Sequence, residues 1–286
     1  MIIWLASYPK SGNTMLRSML ASYFYSEKGI YDYSTIKKIT QFPSSKLFQK
    51  LGLRVDDNEE MIKNYIKAQS LINKKNSITF LKTHSQLIHY KNTYPFTDLK
   101  NTLGVIYIVR DPRNVVLSYA DFGTKTLDFY CSQMIEKNYI GGNPTASINA
   151  ANRTLVLSGT WASNYNSWKS FKEIKKYLLI KYEDLIDNRS LVFKQILQFI
   201  FYLNRSSTPI NEKKFSNVLK TTEFNNLKSI EEKQGFEESI FDEVTKERRT
   251  FFNLGPKRNW KDSLDKDIKN KIESAFSTEM KELGYL

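Results

Sequence analysis

Residues Tyr8 to Thr14 read Y-P-K-S-G-N-T, a set of side chains suited to gripping an oxyanion: Lys10, Ser11, Asn13 and Thr14 are all donors. The segment follows a short apolar run (Ile2, Ile3, Trp4, Leu5, Ala6) and opens an amphipathic stretch through Met15, Leu16, Met19, Leu20, Tyr23 and Phe24. Strand, turn and helix in that order aim backbone N–H groups and the positive end of a helix dipole at one point. The ligand expected there is a phosphate. The spacing departs from the nucleoside-triphosphate loop G-x-x-x-x-G-K-[ST], because the lysine precedes the glycine and no first glycine is supplied. An ordinary triphosphate is therefore disfavoured.

Three further polar clusters carry chemistry. K-T-H at Lys82 to His84 follows the apolar Ile78 to Leu81 and holds one of two histidines in the chain. An imidazole titrates near neutral pH and takes the proton of a hydroxyl or amine, so His84 is a candidate general base. The plainer alternative is a hydrogen-bonded structural histidine, against which stand the strand-end location and the neighbouring Lys82. In I-V-R-D-P-R-N-V-V-L-S-Y, Arg110 ends an apolar run and Ser118 lies along the following helix, so guanidinium and hydroxyl can converge on one dianion. The alternative is a surface arginine paired with Asp111; Arg113 is expected at solvent or an interface. Tyr182 to Asp184 forms the last cluster.

The elements that would position these groups follow from periodicity. Gly104 to Val109 is a continuous apolar run of the kind a central parallel strand shows, and Ser77 to Thr83 and Tyr177 to Tyr182 are further strands. Helices are expected over Asn58 to Asn73, from Asp111-Pro112 through Tyr119, over Ser158 to Phe171, Ser190 to Tyr202 and Asp265 to Leu283. Lys28 to Asp57 reads as irregular surface and a candidate acceptor-site rim, and Gly123 to Asn152 as a candidate lid. Strands alternating with helices give an α/β fold, a mostly parallel central sheet flanked by helices, in a single domain over residues 1–286. In such a sheet ligands bind at the carboxyl ends of strands, where all four clusters fall.

The bulk numbers bound the rest. The 286 residues include 41% apolar and 14% aromatic residues, which excludes a disordered chain. A single cysteine, Cys131, excludes an intrachain disulfide and a cysteine-built zinc site, so a reducing, cytoplasmic compartment is expected. No signal peptide or membrane span is visible, and no metal-ligand spacing. The net charge of +13 comes from scattered doublets such as Lys37-Lys38 and Lys175-Lys176, which solvate a surface and do not track a nucleic-acid backbone. Oligomeric state is not legible.

Together, the first loop, K-T-H, the Arg110 to Ser118 segment, the Trp161 region, I-K-Y-E-D-L and T-T-E-F at Thr221 to Phe224 resemble the cytosolic-type sulfotransferases, which use 3′-phosphoadenosine 5′-phosphosulfate as sulfuryl donor. The resemblance implies a P-loop-like 5′-phosphosulfate-binding loop in which Lys10 holds the bridging and sulfuryl oxygens, and Ser11, Gly12, Asn13 and Thr14 the 5′-phosphate. It further implies Lys82 beside the sulfuryl group, His84 as base, Arg110 and Ser118 on the 3′-phosphate, and Tyr182, Thr222 and Phe224 on the adenine. Two departures stand out. Met15 replaces the tryptophan the family stacks on adenine. In F-F-N-L-G-P-K-R-N-W-K, Asn253 and Leu254 occupy positions that are basic in the family, although Gly255, Trp260 and Lys261 fit; Lys257 or Arg258 then becomes the candidate 3′-phosphate ligand. The implied reaction is in-line sulfuryl transfer to a hydroxyl or amine of a small soluble acceptor, without a metal. The competing readings are a P-loop small-molecule kinase and a non-catalytic, basic nucleotide- or nucleic-acid-binding module.

Overall fold

Alternate residues of the first strand, Ile2–Ala6, enter different cores, which is why its sequence is apolar throughout. Ile2, Trp4 and Ala6 join Val105, Tyr107 and Val109 on one face, against Phe42, Phe96, Trp161 and Trp168. Ile3 and Leu5 join Ile106 and Ile108 on the other, against the helices Asn13–Tyr25 and Arg189–Leu203. The computed structural model describes residues 1–54, 57–74, 77–136, 154–236, 238–241, 246, 248–253, 255 and 259–286.

Four parallel strands form the sheet, in the spatial order Thr79–Thr83, Ile2–Ala6, Thr102–Val109, Tyr177–Lys181. The chain leaves the first strand toward one edge and returns to its other side, so the order reverses between Ile2–Ala6 and Thr102–Val109. The carboxyl ends of those two strands open a crevice at the reversal. Two short antiparallel ribbons, His89–Tyr90 with Tyr94–Pro95 and Ile240–Phe241 with Arg248–Arg249, lie outside this sheet. The α/β fold with a parallel central sheet flanked by helices is as expected.

Several elements differ from the sequence reading. The segment Lys28 to Asp57 holds short helices at Tyr33–Ile36 and Ser45–Lys50, and Ile39, Phe42 and Phe48 are completely buried. It also hydrogen-bonds the outer strand, Phe42 N to Lys82 O at 2.8 Å and Lys82 N to Thr40 O at 2.9 Å, so it is a sheet-covering layer. The helix expected over Asn58 to Asn73 is two, Asn58–Lys63 and Tyr65–Asn73, broken at Asn64. The closing helix is likewise two, Lys266–Ala275 and Ser277–Glu282, parted where Phe276 packs 5.2 Å from the Trp161 ring. A helix, Leu127–Ile135, occupies part of the candidate lid, whose residues 137–152 lie outside the described ones. Among the described residues no helix is long and apolar enough to cross a membrane.

Candidate functional site

The turn after the first strand is held open by two residues in left-handed backbone conformation, Lys10 at φ 63° and Gly12 at φ 96°. Gly12 is required twice over: a Cβ there would lie 2.3 Å from Tyr182 Cδ2. The helix Asn13–Tyr25 starts directly after it, with no side-chain cap on its first N–H groups. Asn13 does not present its amide to a ligand; Nδ2 donates to Leu5 O at 2.9 Å and Ser7 Oγ at 3.1 Å, fastening the turn to the strand. Ser11 Oγ is buried with no hydrogen-bond partner among the described residues.

Arg110 reaches the same turn from the neighbouring strand end: Nη1 donates to Lys10 O at 3.2 Å, and the guanidinium lies 4.4 Å from the Tyr182 ring centre. Its Nε is buried with no partner among the described residues. Buried donors cost free energy when left unpaired, so Arg110 Nε is a group that an anion would satisfy, whereas Ser11, expected on the 5′-phosphate, is fully buried and does not line the cavity that Arg110 borders. The helix Pro112–Phe122, capped by Asp111 and started by Pro112, carries Ser118 to the same cavity.

Lys10 and His84 have altered acidities. The Lys10 ammonium sits 3.7 Å above the Phe122 ring and 4.4 Å from that of Phe251. Burial, then the charges of Arg110 and Lys82, lower its pKa to about 7 against an opposing pull from Glu238. His84 Nδ1 lies 3.0 Å from Ser7 O and 3.1 Å from Ser7 Oγ. A carbonyl oxygen only accepts, so Nδ1 carries the proton and Nε2 keeps a lone pair. Burial, followed by the Lys82 charge, lowers the imidazole's pKa to about 3, so it is neutral at physiological pH. Lys82, also lowered by burial, donates to Glu238 Oε2 at 3.2 Å.

One helix, Trp161–Trp168, fixes the two sides of the site. A capping box between Thr160 and Ser163 starts it. Trp161 Nε1 donates to Arg110 O at 3.2 Å, and Asn164 Nδ2 donates to His84 O at 2.9 Å.

A cavity of about 1020 Å³ collects these groups, with Lys10, Gly12, Asn13, Thr14, Met15, Lys82, His84, Arg110, Ser118, Tyr182, Phe224 and Gly255 on its walls. Gly255, at φ 55°, lies against Phe224, where a Cβ would come within 2.3 Å of the ring. Thr222, expected to touch adenine, does not line the cavity. Its hydroxyl donates to Val218 O at 2.7 Å and accepts from Arg189 Nη2 at 2.6 Å, which leaves it fully buried under the helix end. Lys257 and Arg258 lie outside the described residues. Arg113, expected at solvent or an interface, is instead buried: it pairs with Asp111 at 2.7 Å, donates to Tyr285 O at 2.8 Å, bonds Glu273, and stacks 3.8 Å from the Trp260 ring centre.

Arg17, Glu238, Phe122 and Phe251 escaped the sequence reading. Arg17 follows Thr14 by three positions on one helix face and was accessible to a periodicity argument. Phe251 opens the segment F-F-N-L-G-P-K-R-N-W-K, but nothing local marks Glu238, which returns to the turn from more than two hundred residues away.

A family model described as Sulfotransferase domain matches residues 2–284. Flavonol 3-sulfotransferase of Flaveria bidentis is 24% identical over 289 residues, covering 99% of this chain and 82% of that protein. Human Sulfotransferase 2A1 is 21% identical over 190 residues, 66% of this chain and 61% of that protein. Mouse sulfotransferase SULT7A1, solved complexed with PAP, superposes with a TM-score of 0.60 at 19% identity over 98% of this chain and 84% of that one. Retinol dehydratase, solved in a complex with retinol and PAP, gives 0.55 at 14% identity over 98% and 81%. At these identities the structural likeness speaks to the fold alone.

Proposed function

Because the chain belongs to the sulfotransferase-domain family, we propose that it moves a sulfuryl group from 3′-phosphoadenosine 5′-phosphosulfate to a hydroxyl or amine of a small acceptor, with His84 as base. The observation that carries this reading is the convergence of Lys10, Lys82, His84 and Arg110 on one cavity at the reversal of strand order. The orphaned Arg110 Nε fits the anionic end of such a nucleotide.

In this reading the backbone N–H groups of Gly12, Asn13 and Thr14 hold the 5′-phosphate, while Arg110 and Ser118 hold the 3′-phosphate. Tyr182 and Phe224 border the adenine, with Met15 and Gly255 filling the slot between. Lys257 and Arg258 add positive charge for the 3′-phosphate, and reversing both charges lowers nucleotide affinity. The donor supplies an activated sulfuryl group. Sulfuryl transfer, like phosphoryl transfer, asks the protein chiefly for alignment and for charge placed where it develops. His84 Nε2 accepts the acceptor's proton, with Nδ1–H held on Ser7 O so that the ring cannot turn away. Sulfuryl oxygens beside Lys82 oppose the effect of that cation on His84 and raise its basicity when it is needed. Lys10, released from the faces of Phe122 and Phe251, follows the charge that develops on the leaving phosphate oxygen.

The remaining wall is aromatic: Tyr119 and Tyr130 stack at 5.1 Å, and Phe122 and the exposed Phe129 adjoin them. Such a wall suits an acceptor with a ring or apolar body that carries its nucleophile at one end. Calorimetry with adenosine 3′,5′-bisphosphate, ATP and single-stranded RNA tests the donor assignment. Bisphosphate should bind tightly and lose affinity without its 3′-phosphate. Equal or tighter binding of ATP or RNA would overturn the reading. Mass-spectrometric screening of metabolites for a sulfate-sized gain then identifies the acceptor.

A further inference from the structure

Thr14, Arg17 and Lys82 converge on a carboxylate from the far end of the chain. Glu238, in the turn after the helix Phe224–Gln234, accepts from Thr14 Oγ1 at 3.2 Å, from Lys82 Nζ at 3.2 Å and from Arg17 Nη1. Arg17 is fixed in turn by donating to Ile39 O at 3.0 Å. Burial alone would raise the pKa of Glu238, but the charges of Lys82 and Arg17 hold it well below the usual carboxylate range, so it is an anion at neutral pH. It lines the same cavity as Lys10, His84 and Arg110.

We infer that Glu238 determines which anions the turn accepts: its carboxylate stands where an anionic oxygen of the donor's phosphosulfate end belongs, and only a ligand anchored elsewhere in the cavity displaces it. The inference rests on the proposed donor reading and deepens it. Thr14 has a single hydroxyl proton, which it can give to Glu238 or to a phosphate oxygen but not to both. Lys82 has three and can share. Arg17 sits one helical turn deeper, so a displaced carboxylate keeps that partner and stays ionised. Two cations, Arg17 and Lys82, each with side chains 7% exposed, would otherwise lack their carboxylate in the free protein.

The consequence is selectivity by effective concentration. A tethered carboxylate competes at a local concentration in the millimolar range or above, which a free sulfate or phosphate ion does not overcome. A nucleotide held at its adenine and 3′-phosphate by Tyr182, Phe224 and Arg110 presents its 5′ anion equally locally and wins the exchange. The four cations Lys10, Arg17, Lys82 and Arg110 thereby avoid being blocked by inorganic anions.

The test is calorimetry on the full chain and on Glu238→Gln, with adenosine 3′,5′-bisphosphate, adenosine 3′-monophosphate and inorganic sulfate as titrants. Charge-assisted contacts of this kind correspond to roughly tenfold or more in affinity. Glu238→Gln should therefore bind the bisphosphate about tenfold tighter, leave adenosine 3′-monophosphate unchanged, and acquire sulfate binding that the parent lacks. Glu238→Asp, which keeps the charge but retracts it by one methylene, should tighten bisphosphate binding by less, and it supplies the readout if the glutamine variant does not fold. A purely structural role would weaken binding, so unchanged or weaker bisphosphate affinity in the folded variants overturns the inference. Failure of the donor reading is separate: the parent then does not bind the bisphosphate, while the sulfate titration still reports on Glu238.

Discussion

Raising the pH above neutrality should weaken binding at the donor site through one lysine. In the free protein Lys10 titrates at about 7, because burial and the neighbouring Arg110 and Lys82 charges disfavour its ammonium form. About half of it is charged at pH 7 and roughly a tenth at pH 8. A phosphate dianion held against it favours the ammonium and returns its pKa toward the ordinary lysine value near 10.4. Through Lys10, binding of adenosine 3′,5′-bisphosphate therefore takes up about 0.9 proton at pH 8 and about 0.5 at pH 7. The sign follows directly: the cation is present below the free-state value and lost above it, so affinity is full below pH 7 and falls as pH rises. Between pH 7 and pH 9 the dissociation constant should increase about 50-fold. The phosphates do not confuse the measurement, since their second ionisation near pH 6 is nearly complete in this window. Titration calorimetry at pH 7 and pH 8, in two buffers of different ionisation enthalpy, reads the proton uptake. Lys10→Met should bind more weakly and without the slope. Identical heats in the two buffers at pH 8, or an unchanged slope in Lys10→Met, would refute the assignment.

Three other outcomes follow from the geometry. His84→Ala should lower turnover by about 10²-fold while bisphosphate affinity stays within a few-fold, measured by steady-state kinetics and calorimetry on one preparation; near-normal turnover removes His84 as base. Gly12→Ala places a methyl 2.3 Å from Tyr182 Cδ2 at a backbone φ of 96°, so bisphosphate affinity should fall by roughly tenfold or more, with the melting temperature as control. Arg113→Met strands the buried Asp111 carboxylate, while Glu273 keeps Lys269 at 3.9 Å, at a cost of about 3–5 kcal/mol. Thermal unfolding should then shift down by on the order of 10 °C, and an unshifted transition contradicts the network.

The sheet was legible because a strand covered on both faces must be apolar at every position, as Gly104 to Val109 is. The strand begins earlier, at Thr102, because Trp4 Nε1 donates to the Thr102 hydroxyl at 2.9 Å and makes a polar residue acceptable in the core. Such a bond spans 98 positions and leaves no local trace. The same reason explains Arg113: a charged residue at a helix start looks solvated until Glu273 and the carbonyl of Tyr285 are seen to reach it. The convergence of Lys10, Lys82, His84 and Arg110 on one cavity was legible because all four sit at strand ends. The site was illegible where packing decided. Thr222 belongs to a matching motif, yet Arg189 and Val218 O take both its hydrogen-bonding capacities.

The parts of the site arrive on different strands, and what sets their spacing is a row of neutral hydrogen bonds behind them. Tyr107 OH donates to Asn164 Oδ1 at 2.8 Å, Asn164 Nδ2 donates to the His84 carbonyl at 2.9 Å, and Trp161 Nε1 donates to the Arg110 carbonyl at 3.2 Å. All three side chains are at most 1% exposed, so water does not compete for these bonds and salt does not screen them. The ion pairs in front, by contrast, would rearrange in the exchange inferred for Glu238. A rigid neutral backing with an exchangeable charged face would let the cavity trade one anion for another without moving His84 relative to Arg110. The in-line transfer proposed above needs that constancy, because misplacement by an ångström is enough to lose orders of magnitude in rate.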